Sequence, residues 1–233
     1  MPLEGESGSL CPQQRSAPHL FSLPLSPFSP GWGVEEEVKA HALKLASHGY
    51  RVLIPDLYRG KIGVNAEEAH HCMSALDWPG AVEDCAGAAA LLRSEGSSKV
   101  GATGFCMGGA LVLATAVRCP GALSCTAPFY GVPSDKLADC SKVSCPVLGL
   151  YGAEDKAANF SDPATVDKLE ASLKASGQPF ELVRYEGVGH AFLNATADGI
   201  KRRAELGQGA HNEQVVAAAW EKLLGFFEAH LKA

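Results

Sequence analysis

Cys106 lies in Gly104-Phe105-Cys106-Met107-Gly108, a glycine-flanked nucleophile pattern in which cysteine takes the place usually held by serine. Such a pattern belongs to a sharp turn between a strand and a helix. Small residues two positions to either side let the two elements pass without a Cβ clash. At a helix N-terminus, free N–H groups and the macrodipole favour a thiolate, so a lowered thiol pKa is expected. The Met107 N–H would point into the same space as an oxyanion-hole donor. Downstream, Asp155 follows an apolar run in Gly152-Ala153-Glu154-Asp155, and His190 follows another in Gly187-Val188-Gly189-His190-Ala191-Phe192. Together the three could carry out nucleophilic catalysis, with His190 exchanging protons with the thiol and the leaving group while Asp155 fixes the imidazole tautomer. Taken singly, each has a plainer explanation: a buried thiol, a turn aspartate and a surface-loop histidine. A non-catalytic protein that binds a small molecule or partner in the same crevice is therefore the rival. A redox sensor is a third possibility, but it needs a resolving cysteine near Cys106, and the sequence does not place Cys72, Cys85 or Cys125 in space.

The elements that would position these residues alternate in type. Helical periodicity covers 34–47, 66–76, 80–94, the stretch from Met107 to about Val117, 163–176 and 211–231. Apolar runs at 50–54, 99–103, 123–129, 147–151 and 180–185 read as buried strands. This alternation predicts an α/β fold, a doubly wound and mostly parallel sheet with helices on both faces. In such sheets the loops at the strand C-termini converge on one crevice, and Cys106, Asp155 and His190 all follow strands.

With 233 residues, 46% hydrophobic and 20% charged, the chain can bury a substantial core. A net charge of −6 gives no overall attraction to nucleic acid or anionic lipid. No apolar run approaches the roughly 18 residues that suggest a membrane span, and no basic segment leads into an apolar one at the start, so a cytoplasmic protein is expected. The eight cysteines form no Cys-x-x-Cys pair, and neighbouring His70, His71 and Cys72 point in different directions on a helix, so no metal site is indicated. The triplets Asn159-Phe160-Ser161 and Asn194-Ala195-Thr196 carry no weight as glycosylation sites without a secretion signal. The organisation expected is an irregular, Pro- and Ser-rich segment over 1–31 followed by one domain over 32–233. Pro24, Pro27 and Pro30 are read as excluding a central strand from the first segment.

Over 32–233 the chain resembles the dienelactone hydrolases (carboxymethylenebutenolidases) of the α/β-hydrolase superfamily. The resemblance rests on Trp32-Gly33-Val34, Gly49-Tyr50-x-x-x-x-Pro55-Asp56-Leu57-Tyr58, Gly104 to Gly109, Tyr151-Gly152-x-x-Asp155 and Gly189-His190-x-Phe192. It implies a lactone or ester hydrolase that works through an acyl-thioester, with Cys106 as nucleophile, Asp155 as acid and His190 as base, and with no metal or organic cofactor. A small-molecule ester or lactone is the implied partner; oligomeric state is not set by the sequence, and a monomer is favoured. Trp32, Tyr58, Phe129 and Phe192 are candidates for the substrate-binding wall. The family binds an anionic substrate with a serine directly after the histidine and an arginine three further on; here these are Ala191 and Asn194, which favours a neutral or different ester. The family also has a strand upstream of Trp32, ending in a glutamate that touches the resting cysteine. Pro30 stands in that glutamate's place, Gly31 N–H is the only candidate for the second oxyanion donor, and the N-terminal strands are expected to be missing or replaced.

Overall fold

The computed structural model describes residues 19–23, 36–61, 71–205 and 207–232. Among the described residues, six strands, β1 (His19–Leu23), β2 (Arg51–Leu53), β3 (Val100–Phe105), β4 (Cys125–Phe129), β5 (Val147–Gly152) and β6 (Phe180–Tyr185), form one sheet in the order β2-β1-β3-β4-β5-β6. Every pairing is parallel. The helices bounded within the described residues are α1 (Glu36–Ser47), α2 (Trp78–Ser94), α3 (Met107–Arg118), α4 (Pro163–Ser176), α5 (Ala197–Glu205) and α6 (Glu213–Phe227). The helical stretch expected at 66–76 is seen over residues 71–74, and its first part lies outside the described residues. Helix α5 has no counterpart among the expected elements. Among the described residues no helix is long and apolar enough to cross a membrane.

The expectation that prolines keep 1–31 out of the sheet interior is corrected. Strand β1 runs between β2 and β3, in register from His19 opposite Arg51 and Val100 to Leu23 opposite Gly104. The prolines bracket this strand and do not interrupt it. Residues 19–23 contain none, so each keeps its ladder N–H, and Pro18 and Pro24 mark the ends.

Period-2 burial then sorts the sheet's side chains. Val147 and Tyr151 of β5 join one apolar cluster with α2, α3 and α4, while Leu148 and Leu150 join a second with α1 and α6. The result is a sheet covered on both faces. Helix α3 is buried from Met107 to Ala116 and correspondingly apolar all round, as befits the central helix of one layer. Because all strands are parallel, the loops after β3, β4, β5 and β6 open on one edge. The chain reverses its direction of winding between β1 and β3, which is where such sheets open a crevice.

Candidate active site

Cys106 is the single residue between β3 and α3, with φ 54° and ψ −116°. This backbone costs about 1–3 kcal/mol for a non-glycine residue, so the surroundings must impose it. They do so by hydrogen bonds and close approach. The Cys106 N–H donates to Phe129 O at 3.0 Å, and Ala110 N–H donates to Cys106 O at 3.1 Å. A Cβ on Gly104 would lie 2.2 Å from Gly108 O, and one on Gly131 would lie 1.9 Å from Cys106 O. The sequence pattern accounts for the first glycine. The second, on the loop after β4, becomes legible only once the strands are paired.

The three candidate residues are brought together. His190 Nε2 lies 3.2 Å from Cys106 Sγ, and His190 Nδ1 lies 2.8 Å from Asp155 Oδ2. All three are buried. Further contacts hold the relay: Ala157 N–H donates to Asp155 Oδ1 at 2.9 Å, His190 N–H donates to Gln208 Oε1 at 3.2 Å, and Ser161 Oγ lies 3.0 Å from His190 Nδ1. The buried Arg203 of α5 donates through Nη2 to the carbonyls of Gln208 and Ala210, each at 3.4 Å, bracing the loop that carries Gln208. From α1, Glu37 accepts the Ala195 and Thr196 N–H groups just beyond the His190 loop. Burial acts to raise the Glu37 carboxyl, but the bonds from His41, Thr196 and Ala195 outweigh it and hold it at about 2.

The electrostatics overturn one expectation. Burial pushes the Cys106 thiol well above its ordinary range; the Met107 N–H pulls in the opposite direction, and the Asp155 charge adds to the rise. A helix N-terminus stabilises an anion by about 0.3–1 kcal/mol near the surface, which does not match the cost of stripping water from a thiolate. Burial therefore favours the thiol over the thiolate at Cys106. At Asp155 burial acts to raise the carboxyl, but the hydrogen bond and charge of His190, with the Ala157 N–H and the Ser161 hydroxyl, hold it below its usual value. The site thus sets Asp155 and Cys106 against the two ring nitrogens of His190.

A cavity of about 440 Å³ opens on this relay, lined by Met73, Ser74, Trp78, Cys106, Met107, Ala157, Phe160 and His190. The expected binding wall is corrected. Phe129 and Phe192 are fully buried in the aromatic cluster behind the relay, where Tyr130 packs on His190 with ring centroids 5.2 Å apart. Tyr58 faces a separate cavity of about 500 Å³. Gly31 and Trp32 lie outside the described residues. Among the described residues the aromatic walls are Trp78, at the start of α2, and Phe160. Asp77-Trp78-Pro79 does carry a helix-start signal in its proline, but nothing in it shows which way the indole faces. Ser161 belongs to a triplet that the sequence offers only as a surface motif, and it is fully buried beside His190.

The model of the dienelactone hydrolase family matches residues 28–231. A protein of Aquifex aeolicus is 27% identical over 221 residues, spanning 88% of this chain and 87% of that protein. The carboxymethylenebutenolidase of Rhodococcus opacus is 28% identical over 217 residues, 86% of this chain and 78% of that enzyme. Among solved structures, a dienelactone hydrolase-like promiscuous phosphotriesterase from metagenomic libraries superimposes with a TM-score of 0.75 at 21% identity, covering 92% of this chain and 87% of that one. At that identity the likeness concerns the α/β-hydrolase fold.

Proposed function

The chain belongs to the dienelactone hydrolase family, and on that premise we propose that it hydrolyses a small carboxylic ester or lactone, with Cys106 as nucleophile, His190 as base and Asp155 as the group that orients it. The observation that carries this reading is the continuous contact from Cys106 Sγ through His190 to Asp155, at 3.2 and 2.8 Å. Family membership makes a carboxylic ester or lactone hydrolase the natural activity, and the carboxymethylenebutenolidase of Rhodococcus opacus carries that chemistry in its name.

The reaction proceeds in two halves. As the sulfur attacks the acyl carbon, His190 Nε2 takes the thiol proton, and the resulting imidazolium is steadied by the Asp155 carboxylate. The Met107 N–H receives the negative charge that develops on the carbonyl oxygen. The bond from acyl carbon to leaving oxygen breaks, that oxygen takes the proton from His190, and a thioester remains on Cys106. Water then gives a proton to His190 and its oxygen to the acyl carbon. The carbon–sulfur bond breaks, the acid departs, and the proton returns to the sulfur. Drawing the nucleophile from a neutral thiol leaves its activation to the moment when substrate is in place, and spares the free protein a reactive thiolate.

The test is hydrolysis of p-nitrophenyl acetate by the wild-type protein and by Cys106→Ala, with rapid-mixing detection of any burst. A nucleophile's removal costs several orders of magnitude in a triad enzyme, so the variant should lose at least about a thousandfold in kcat/KM while keeping its unfolding transition. Equal turnover by the two proteins overturns the assignment of Cys106. A stoichiometric burst without turnover indicates a binding protein with a modifiable cysteine.

A further inference from the structure

We propose that this site takes neutral esters whose apolar group is longer than a two-carbon acyl unit and runs past Trp78 and Phe160 into an adjoining cavity. The proposal rests on the hydrolytic reading above and names its substrate class. Three observations carry it.

The first is the chemistry of the lining. Among the described residues, and apart from Cys106 and His190, the cavity at the sulfur is lined by Met73, Trp78, Met107, Ala157 and Phe160, with Ser74 adding a hydroxyl. Among the described residues no lysine or arginine lines it. A substrate carboxylate taken out of water here would find no lysine or arginine partner among the described lining residues, a costly arrangement. Arg59 and Lys61 line the separate cavity beside Tyr58, where Arg59 is paired with Asp84 at 2.6 Å.

The second observation is adjacency. Trp78 and Phe160 also line a neighbouring cavity of about 400 Å³, walled by Pro79, Ala110, Val132, Pro133 and Leu137. The polar residues around it, Ser134, Lys136 and Asn159, are exposed, so the Lys136 ammonium can stay in water while an apolar chain occupies the walls. The two indole and phenyl side chains therefore border both spaces.

The third is size. The cavity at the sulfur is already about 440 Å³, and ligand sites of this order hold molecules well beyond an acetyl ester. An acetyl group would leave most of the apolar lining wet. Each further methylene that leaves water for these walls should improve binding in the transition state about fourfold, until the chain emerges.

The experiment compares p-nitrophenyl acetate, butyrate, octanoate and the p-nitrophenyl monoester of succinic acid, with wild-type protein, Cys106→Ala and Ser134→Trp. In the wild type, kcat/KM should rise at least tenfold from acetate to octanoate, and the anionic succinate ester should fall at least tenfold below butyrate. Ser134→Trp places an indole from an exposed position into the adjoining cavity, so the octanoate-to-acetate ratio should drop at least fivefold. Cys106-dependent turnover that falls with chain length, or that favours the succinate ester, overturns this inference alone and leaves the hydrolase standing. An unchanged ratio in Ser134→Trp overturns the use of the adjoining cavity. Folded protein that turns over none of the four esters, or a Cys106→Ala variant as active as the wild type, overturns the hydrolytic reading and this inference with it.

Discussion

At the scale of single residues, Cys106 is decided by competition between a dipole and desolvation. The helix N-terminus and the Met107 N–H favour a thiolate, but a sulfur with no exposed surface loses far more hydration than those groups return. The consequence is measurable with a small alkylating reagent. For a thiol whose pKa is raised, the reactive thiolate is a small fraction throughout the neutral range and grows as pH rises. Alkylation of Cys106 by iodoacetamide should accordingly increase about tenfold per pH unit between pH 7 and 9 without levelling. A rate already flat at pH 6 would reveal a preformed thiolate. Asp155 behaves in the opposite sense. Its depressed carboxyl stays ionised over the same range, so it contributes no step to that profile.

At the scale of elements, the turn at Cys106 depends on residues far from it in sequence. The loop after β4 must pass within contact distance of the Cys106 carbonyl, and only a residue without a Cβ allows this at position 131. Gly131→Ala would force the turn or the loop to move. The expected loss is about 1–3 kcal/mol in unfolding free energy, the usual range for overpacking. A displacement near 1 Å at the sulfur would lower kcat about a hundredfold. Chemical denaturation and ester hydrolysis on the same samples check both, and an alanine variant with wild-type stability and rate would refute the close approach. The loops that carry Asp155 and His190 are braced by Ser161, by Arg203 and Gln208 at the end of α5, and by Glu37 of α1, which come from three different segments.

At the scale of the whole molecule, β1 joins the two halves of the sheet. It pairs with β2 on one side and with β3, the strand that delivers Cys106, on the other. Removing it would leave β2 without its partner and expose the ladder groups of β3 along its length. Deletion of residues 1–23 should therefore abolish cooperative unfolding, as followed by circular dichroism during heating. A truncated protein that melts like the full chain would show that β1 contributes little to the sheet.

Much of this was legible in the residues themselves. Apolar runs separated by helical periodicity specify the parallel α/β sheet, because each element's burial pattern is a local property of its own side chains. The glycine-flanked cysteine and the order Cys106, Asp155, His190 likewise lie open in the chain, since they follow from what each strand end must carry. What the sequence left undetermined is what depends on proximity between distant segments. Prolines around 19–23 read as breakers, although they only bound a strand whose partners are about 30 and 80 residues away. The aromatic residues flanking the motifs, Tyr58, Phe129 and Phe192, were drawn to the site by sequence adjacency, yet two of them face the core and one faces another cavity. Trp78 and Phe160 took their place because the fold brings both residues to the cavity at Cys106. The thiol's protonation, too, was set by how completely the packed molecule excludes water from its sulfur. Desolvation is a sum over everything that surrounds a group, and only the tertiary structure supplies that sum.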